Sequence, residues 1–365
     1  MTVQLGMKTV LGFGVIGAGQ ISRSASKEIN GHEQARVVAA SDPSEARLAE
    51  LCETAEIPAR YLDNEALLAD PDVDAVFIAT PNAFHAPLAL RALELGKHVI
   101  VEKPFAMNAS EAEAVVEAAR RAGKLLSVGM NQRFRPDSQR VAELARSGAL
   151  GEIYHAKAFW FRRSGIPKLG TWFTQKSLAG GGALYDIGVH LLDLALHLLG
   201  DFAPKSVSGS VYTKFGPRGL GEGNWGMSER NQSGFDVDDS ATALIRFADD
   251  KTLTLDVSWA IHQKDGDRMN VLLHGSEAGA GCYPAELYRF GADGEPYAAG
   301  PVLETKLAYP HTNRFHNFVE ALLGREDLCV TPEQALAVQR TLDAVYESSR
   351  TGREVAIAGV ARGKA

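Results

Sequence analysis

"GFGVIGAGQIS", residues 12–22, decides how the rest of the chain is read. Two registers of a G-x-G-x-x-G pattern compete within it. Gly12, Gly14 and Gly17 match the string literally; Gly17 and Gly19 followed by Ser22 match it with a small residue in third place. The first register leaves almost no strand ahead of the turn. It also puts Gly17 and Gly19 inside a helix, where each costs about 1 kcal/mol against alanine. The second leaves a strand from Leu11 to Ile16 and starts a helix near Gln20. In that register Gly17 permits the tight turn and Gly19 lets backbone approach a pyrophosphate. The amide groups that open the helix, those of Gln20 and Ile21 among them, then point at that charge. Alone the motif is weak, because glycine turns are common.

The pattern downstream of the turn strengthens it. From about residue 10 to 130, near-continuously apolar runs ("LGFGVIG", "ARVVAASD", "DAVFIAT", "KHVIVEKP", "LLSVGMN") alternate with "SEARLAELCETA", "AFHAPLALRALELG" and "SEAEAVVEAARRAG". The former suit parallel strands covered on both faces and the latter suit helices, the last two stopped by glycine. Such alternation means an α/β fold with a doubly wound parallel sheet. Residues 7–130 are expected to form this N-terminal Rossmann domain. Asp42 ends the second strand, 25 positions after Gly17. That is near the spacing of an acid that hydrogen-bonds an adenosine ribose. Its charge disfavours a 2′-phosphate, so NAD is expected, with NADP as the alternative that Ser41 and Arg47 could favour. The competing reading makes Asp42 the cap of a helix starting near Ser44.

After about residue 150 the pattern changes. "SVSGSVYTKF", "DDSATALIRFADDKTLTLDVSWAI" and "RMNVLLHGSEAGAGCY" alternate as half-buried strands do, with a hairpin turn at Asp249–Asp250. Residues 131–365 are therefore expected to form a C-terminal α/β domain on a large, open, mostly antiparallel sheet. Residues 215–234 read as a long Gly-rich loop, and helices near 313–323 and 332–350 close the chain.

The 365 residues are 45% hydrophobic and 23% charged, with a net charge of −7 and three scattered cysteines. That is an ordinary globular composition for two domains, with no basic block for nucleic acid or anionic membranes. The cysteines, Cys52, Cys282 and Cys329, form neither a disulfide framework nor a metal spacing, which fits a reducing cytoplasm. The N-terminal segment does not read as a signal peptide, and Met7 reads as the natural start. No apolar stretch is taken as a membrane span, since the longest, residues 178–200, carries ionisable groups at its centre.

That stretch, "LAGGGALYDIGVHLLDLALHLLG", holds Asp186, His190, Asp193 and His197 at spacings of four, three and four. One helical face carries all four. Buried ionisable groups are costly unless paired. Asp186 and His190 can face one cavity, and an imidazole is suited to moving a proton at neutral pH. Asp193 and His197 read as a structural pair or a helix-end interaction. A metal would need a third ligand, and none is evident. Lys103 and Glu102 end a Rossmann strand at "VEKPFA", where ligands sit and a lysine can favour an alkoxide. A surface Lys–Glu pair is the alternative. At "ATPNAFHAP", Thr80, Pro81 and Asn82 would line the cofactor crevice, with His85 on a helix surface. Asn131, Arg162 and Trp172 are candidates for a polyol pocket, although Trp172 could equally be core.

"GVIGAGQIS", "ATPNAFH", "VEKPFA" and "AGGGALYDIGVHLLDL", in that order, resemble the glucose–fructose oxidoreductase / inositol dehydrogenase / rhizopine-catabolism oxidoreductase family, Gfo/Idh/MocA. The resemblance spans nearly the whole chain. It implies Lys103, Asp186 and His190 as the catalytic trio, and the glycine turn and Asp42 on the dinucleotide; Glu102 and Lys103 are expected with Thr80, Pro81 and Asn82 along the same crevice. Ser22 replaces the usual third glycine or alanine. The implied reaction is hydride transfer between a nicotinamide and a secondary hydroxyl of a sugar, sugar derivative or cyclitol, by a homodimer or homotetramer. Two rivals share the fold: a glycosidase that keeps NAD and uses transient oxidation, and a non-catalytic nucleotide- or sugar-sensing protein. The intact trio argues against the second.

Overall fold

The structure is a computed structural model that describes residues 10–226, 234–291, 293–302 and 307–357. Met7 and residues 227–233 of the long loop lie outside the described residues. The chain divides into two compact units.

The first unit is built on six strands: β1 (Leu11–Ile16), β2 (Ala35–Ser41), β3 (Ala59–Tyr61), β4 (Ala75–Ile78), β5 (His98–Val101) and β6 (Leu126–Val128). They run parallel in the order β3-β2-β1-β4-β5-β6, as the apolar runs require. β1, β4, β5 and β6 are buried along their whole lengths. Helices cover both faces of such a sheet, so no residue of these four strands reaches water. They are α1 (Gln20–Asn30), α2 (Glu45–Thr54), α3 (Asn64–Ala69), α4 (His85–Glu94) and α5 (Ala109–Ala122). α1 begins at Gln20, so the chain adopts the second glycine register. Gly123 closes α5 in the left-handed region, with its amide on the Ala119 and Arg120 carbonyls. The strand order reverses between β1 and β4, which makes their carboxyl ends the switch point of the sheet.

β3 escaped the sequence reading because three residues carry no usable period. This unit also takes in Asn313–Leu336. Phe315, Phe318, Val319 and Leu322 of the helix Arg314–Leu322 are buried in the core that holds Phe13, Ile29 and Phe77. The rings of Phe77 and Phe315 meet edge to face at 5.0 Å. Each buried aromatic ring is worth about 1.5–3 kcal/mol. A segment of the expected second domain thus completes the first unit's core, which no local sequence pattern announces.

The second unit carries nine strands: β7 (Ile153–Arg162), β8 (Ser206–Tyr212), β9 (Ser240–Arg246), β10 (Thr252–Ser258), β11 (Asp267–Gly275), β12 (Gly279–Gly281), β13 (Glu286–Phe290), β14 (Pro296–Pro301) and β15 (Val355–Ala356). Their order is β14-β13-β12-β11-β7-β10-β9-β8-β15. Every pairing is antiparallel except β7 with β10. The α/β class with a parallel Rossmann-like sheet and a large, mostly antiparallel sheet is therefore what the sequence foretold. The β9–β10 hairpin turns at Asp249–Asp250 as expected, with Asp250 at φ 63°. β7 lies at the centre of the sheet. Its run "IYHAKAFWFR" mixes aromatic, basic and small residues, which hid the strand from the sequence reading. The helical stretch of residues 184–199 packs on β7 and β11. It belongs to the one described segment long and apolar enough to span a bilayer, Lys176–Leu199, and 83% of that segment's apolar window is buried in the fold.

Candidate active site

In the first unit the glycine turn leaves β1 at Gly17, which has φ +96°. A Cβ there would lie 2.5 Å from the Ala79 carbonyl oxygen, so the chain just past β4 excludes any side chain. A Cβ on Gly19 would meet nothing within 4 Å, so its backbone faces open space. α1 then opens with no side-chain cap. The amides of its first turn and the positive end of an 11-residue helix are thereby presented to an anion. The hydroxyl of Ser22 donates to the Gly17 carbonyl at 2.5 Å, so the family departure at this position braces the turn.

Asp42 is 7% exposed. Its Oδ2 accepts the Ala18 amide at 2.8 Å, and its Oδ1 accepts the Ser44 amide at 2.8 Å and the Arg47 guanidinium at 3.3 Å. Ser44, and not Asp42, caps α2 by accepting the Arg47 amide. The alternative role as helix cap therefore falls to the next serine. The uncapped helix end, the side-chain-free turn and the fixed carboxylate together fit the pyrophosphate and ribose of a dinucleotide.

Thr80, Pro81 and Asn82 follow β4. The Thr80 hydroxyl oxygen is buried without a hydrogen-bond partner among the described residues, and Asn82 is buried where it opens a short 3-10 turn. His85, expected on a helix surface, is instead 1% exposed at the start of α4. The carboxylate of Glu102 lies between Arg314, at 2.5 Å, and the Lys103 amide, at 3.1 Å. Arg314 also donates to the Gly129 carbonyl at 2.8 Å. Sequence reading missed Arg314 because it enters from the C-terminal segment. Lys103 sits half-buried just past β5.

The second unit holds the apolar helix. It begins as a π-helical turn, Leu184–Gly188, and continues as α-helix over Val189–Leu199. The Val189 amide reaches back to the Leu184 carbonyl, one residue further than in an α-helix. Such insertions in α-helices are frequent at functional sites. From Gly181 to Leu196 every residue is buried except Asp186 and His190. These two are therefore the partly exposed positions of an otherwise sealed stretch. The Asp186 Oδ2 accepts the indole N–H of Trp259 at 2.8 Å, and Trp259 is fully buried just past β10. The His190 ring lies 6.4 Å from that of Trp160.

The other two polar residues of the helix behave differently. Asp193 binds Arg133 through Nε at 2.8 Å and Nη2 at 2.5 Å, with both side chains buried. The expected structural role holds, but the partner is Arg133 rather than His197. Burial raises the Asp193 pKa, and the guanidinium opposes it. Burial, then Arg133 and Arg146, push the His197 pKa well down. The run of glycines also acquires a reason. A Cβ on Gly182 would sit 1.8 Å from the Asp238 carbonyl oxygen. Buried Asp238 clamps the start of the helix, accepting the Gly182 amide at 2.8 Å, the Leu184 amide at 2.9 Å and the Tyr346 hydroxyl at 2.6 Å. Nothing in "DVDDS" singles Asp238 out as that clamp.

Arg162 lies 4.4 Å over Trp160, and Asp267 accepts the Trp160 indole N–H at 2.9 Å. Arg162 and His190 thus share Trp160 as a neighbour. Trp172 stacks on Phe173 at 3.7 Å, in a cluster that includes Trp225. Asn131 is exposed at the start of a short 3-10 helix. Among the described residues, no three His, Cys, Asp or Glu side chains cluster as metal ligands.

Comparison with known proteins identifies the family. Residues 11–130 match the model of the "Oxidoreductase family, NAD-binding Rossmann fold", and residues 138–280 match that of the "GFO/IDH/MocA C-terminal domain". The chain belongs to the GFO/IDH/MocA oxidoreductase family. Among its relatives in that family, D-glucoside 3-dehydrogenase of Escherichia coli (strain K12) is 33% identical over 93% of this chain and 96% of its own. D-xylose 1-dehydrogenase (NADP(+)) 2 of Haloferax volcanii is 29% identical over 94% and 98%. The crystal structure of GenD2 from gentamicin A biosynthesis, in complex with NAD, superposes with a TM-score of 0.77 at 26% identity, covering 97% of this chain and 98% of its own. The expected family and its NAD-binding Rossmann domain are thus established.

Proposed function

We propose that this oxidoreductase moves a hydride between NAD and a secondary hydroxyl of a sugar, sugar derivative or cyclitol. The observation that carries the reading is the pair Asp186 and His190, the two residues with exposure in a helix otherwise sealed from Gly181 to Leu196. The sugar dehydrogenases among its relatives support the substrate class.

In this reading His190 takes the proton of the reacting hydroxyl. Lys103 holds the same oxygen and stabilises its developing negative charge. Asp186, fixed by the Trp259 indole, orients His190 or a neighbouring hydroxyl. NAD, when bound, would supply the nicotinamide that accepts the hydride. Gly17, Gly19, Gln20 and Ile21 would receive its pyrophosphate, Asp42 its adenosine ribose, and Thr80, Pro81, Asn82 and Glu102 would stand along the crevice. Asn131, Arg162 and Trp172 would serve the remaining hydroxyls of the sugar. Residues 7–130 would hold the nucleotide, with Asn313–Leu336 completing their core, and the rest of residues 131–365 would hold the substrate. The carboxylate of Asp42 favours NAD over NADP by repelling a 2′-phosphate.

The proposed assembly is a homodimer or homotetramer through the outer face of the second sheet. Lys157, Thr254, Leu244 and Leu272 lie in one cross-strand row there, next to the stacked rings of Phe159 and Phe161, and all six are incompletely buried. The three cysteines are buried and none is in a disulfide, in keeping with a cytoplasmic location.

The experiment is a panel of D-glucose, methyl D-glucoside, myo-inositol and D-gluconate with NAD or NADP, followed by absorbance of the reduced nicotinamide. At least one sugar is turned over, and His190→Ala lowers that turnover at least a hundredfold while NAD affinity is nearly unchanged. Undiminished turnover in His190→Ala removes His190 from the mechanism.

A further inference from the structure

His85 is a fully buried imidazole that the proposed reaction does not use. Its Nδ1 lies 2.8 Å from the Pro104 carbonyl oxygen and its Nε2 lies 3.0 Å from the Thr80 carbonyl oxygen. Thr80 belongs to the loop after β4, and Pro104 immediately follows Lys103 in the loop after β5. The ladder between these strands ends at Ile78 and Val101, with one last bond from the Glu102 amide to the Ile78 carbonyl at 2.9 Å. Beyond that bond the two loops leave the sheet side by side, and the ring of His85 spans them.

We propose that His85 is a positioning residue, a strut that fixes the lysine-bearing turn 103–104 against the cofactor loop 80–82. A carbonyl oxygen only accepts hydrogen bonds, so the ring must donate. The neutral imidazole has one N–H, and which nitrogen carries it is assigned by the network rather than observed. Burial holds the ring toward the neutral form. Lys103 acts in the same sense, while the Pro104 and Thr80 carbonyls and Glu102 oppose it. The neutral ring therefore ties one of the two loops by its N–H; the other carbonyl faces the unprotonated nitrogen, gains no hydrogen bond, and is held only by packing against the ring. A side chain of equal bulk without an N–H fills the space but leaves a buried carbonyl without its donor.

The inference rests on the reading of Lys103 as the group that holds the reacting oxygen, and the test separates the two. His85→Phe keeps a planar ring, of somewhat larger volume, and loses the donor. His85→Gln keeps an amide donor. With the sugar of the panel that is turned over fastest, His85→Phe lowers kcat at least tenfold at saturating NAD. The KM for NAD rises by less than kcat falls, because Thr80, Pro81 and Asn82 form one part of the cofactor crevice while the strut acts directly on the lysine-bearing turn. His85→Gln recovers at least a third of wild-type kcat. If His85→Phe does not fold, His85→Leu, of similar bulk, takes its place. Wild-type kcat in the Phe or Leu variant, or a Gln variant no better than it, overturns the strut. Lys103→Met is the control. If it retains full turnover, the reading of Lys103 fails; if it is inactive while His85→Phe is fully active, only the strut fails.

Discussion

The hydrogen bond from the Trp259 indole to the Asp186 carboxylate gives the sharpest test of the helix-borne pair. Trp259→Phe removes the indole N–H and keeps an aromatic ring in a site that is fully buried. A hydrogen bond to a charged acceptor contributes about 1.5–3 kcal/mol. At about 1.4 kcal/mol per factor of ten, its loss at the transition state lowers kcat by roughly 10- to 150-fold. Shrinking the ring also costs about 1–3 kcal/mol of fold stability, which a urea titration reads separately from turnover. The assay is steady-state kinetics of wild type, Trp259→Phe, Asp186→Asn and the double variant. Asp186→Asn removes the charge that the indole fixes, so the two effects overlap. The expected coupling is at least about 1 kcal/mol. The KM for NAD stays within twofold. A kcat of Trp259→Phe within twofold of wild type, or effects that simply add, would refute the claim that Trp259 aims the Asp186 carboxylate.

Asp42→Asn keeps an acceptor for the Ala18 amide and removes the negative charge, so the ratio of kcat/KM for NAD to that for NADP falls at least tenfold; an unchanged ratio takes Asp42 off the ribose. His98, buried in β5, has its pKa pushed down to about 4, chiefly by burial and then by Lys124. An unfolded histidine titrates near about 6.5. Between the two values the unfolded chain binds the extra proton, so this stability is fully present above about pH 6.5 and declines toward pH 4. At pH 5 the loss relative to pH 7 is about 2 kcal/mol. Urea midpoints at pH 7 and 5 measure it. His98→Gln, which can still accept the Leu125 amide, flattens that dependence; identical slopes in the two proteins would discard the assignment.

The parallel half of the fold was legible because its rules are local. Apolar runs of four to seven residues, helices stopped by glycine, and Gly17 at the end of β1 each follow from covering a strand on both faces or turning sharply beside it. The hairpin at Asp249–Asp250 was legible for the same reason. β7 was not, because aromatic and basic residues sit on both sides of its alternation and its partners on β10 and β11 come about 100–120 residues later. His85 was misplaced because an imidazole near the start of a helix has no local mark of burial; the two carbonyls beside its ring nitrogens lie before and after it in sequence, on separate loops.

By itself the sequence determined the family and the kind of fold, and it singled out the residues proposed to carry the chemistry, since periodicity, glycine turns and the polar residues inside residues 178–200 are properties of short segments. Tertiary structure alone decided how those residues divide: Asp193 to a buried arginine, Asp186 to a buried indole, His190 to partial exposure, Glu102 to an arginine from the C-terminal segment. The reason is that burial and partnership come from segments distant along the chain. A residue's own neighbours in sequence set which way its side chain points, and only the packed fold sets what it meets there.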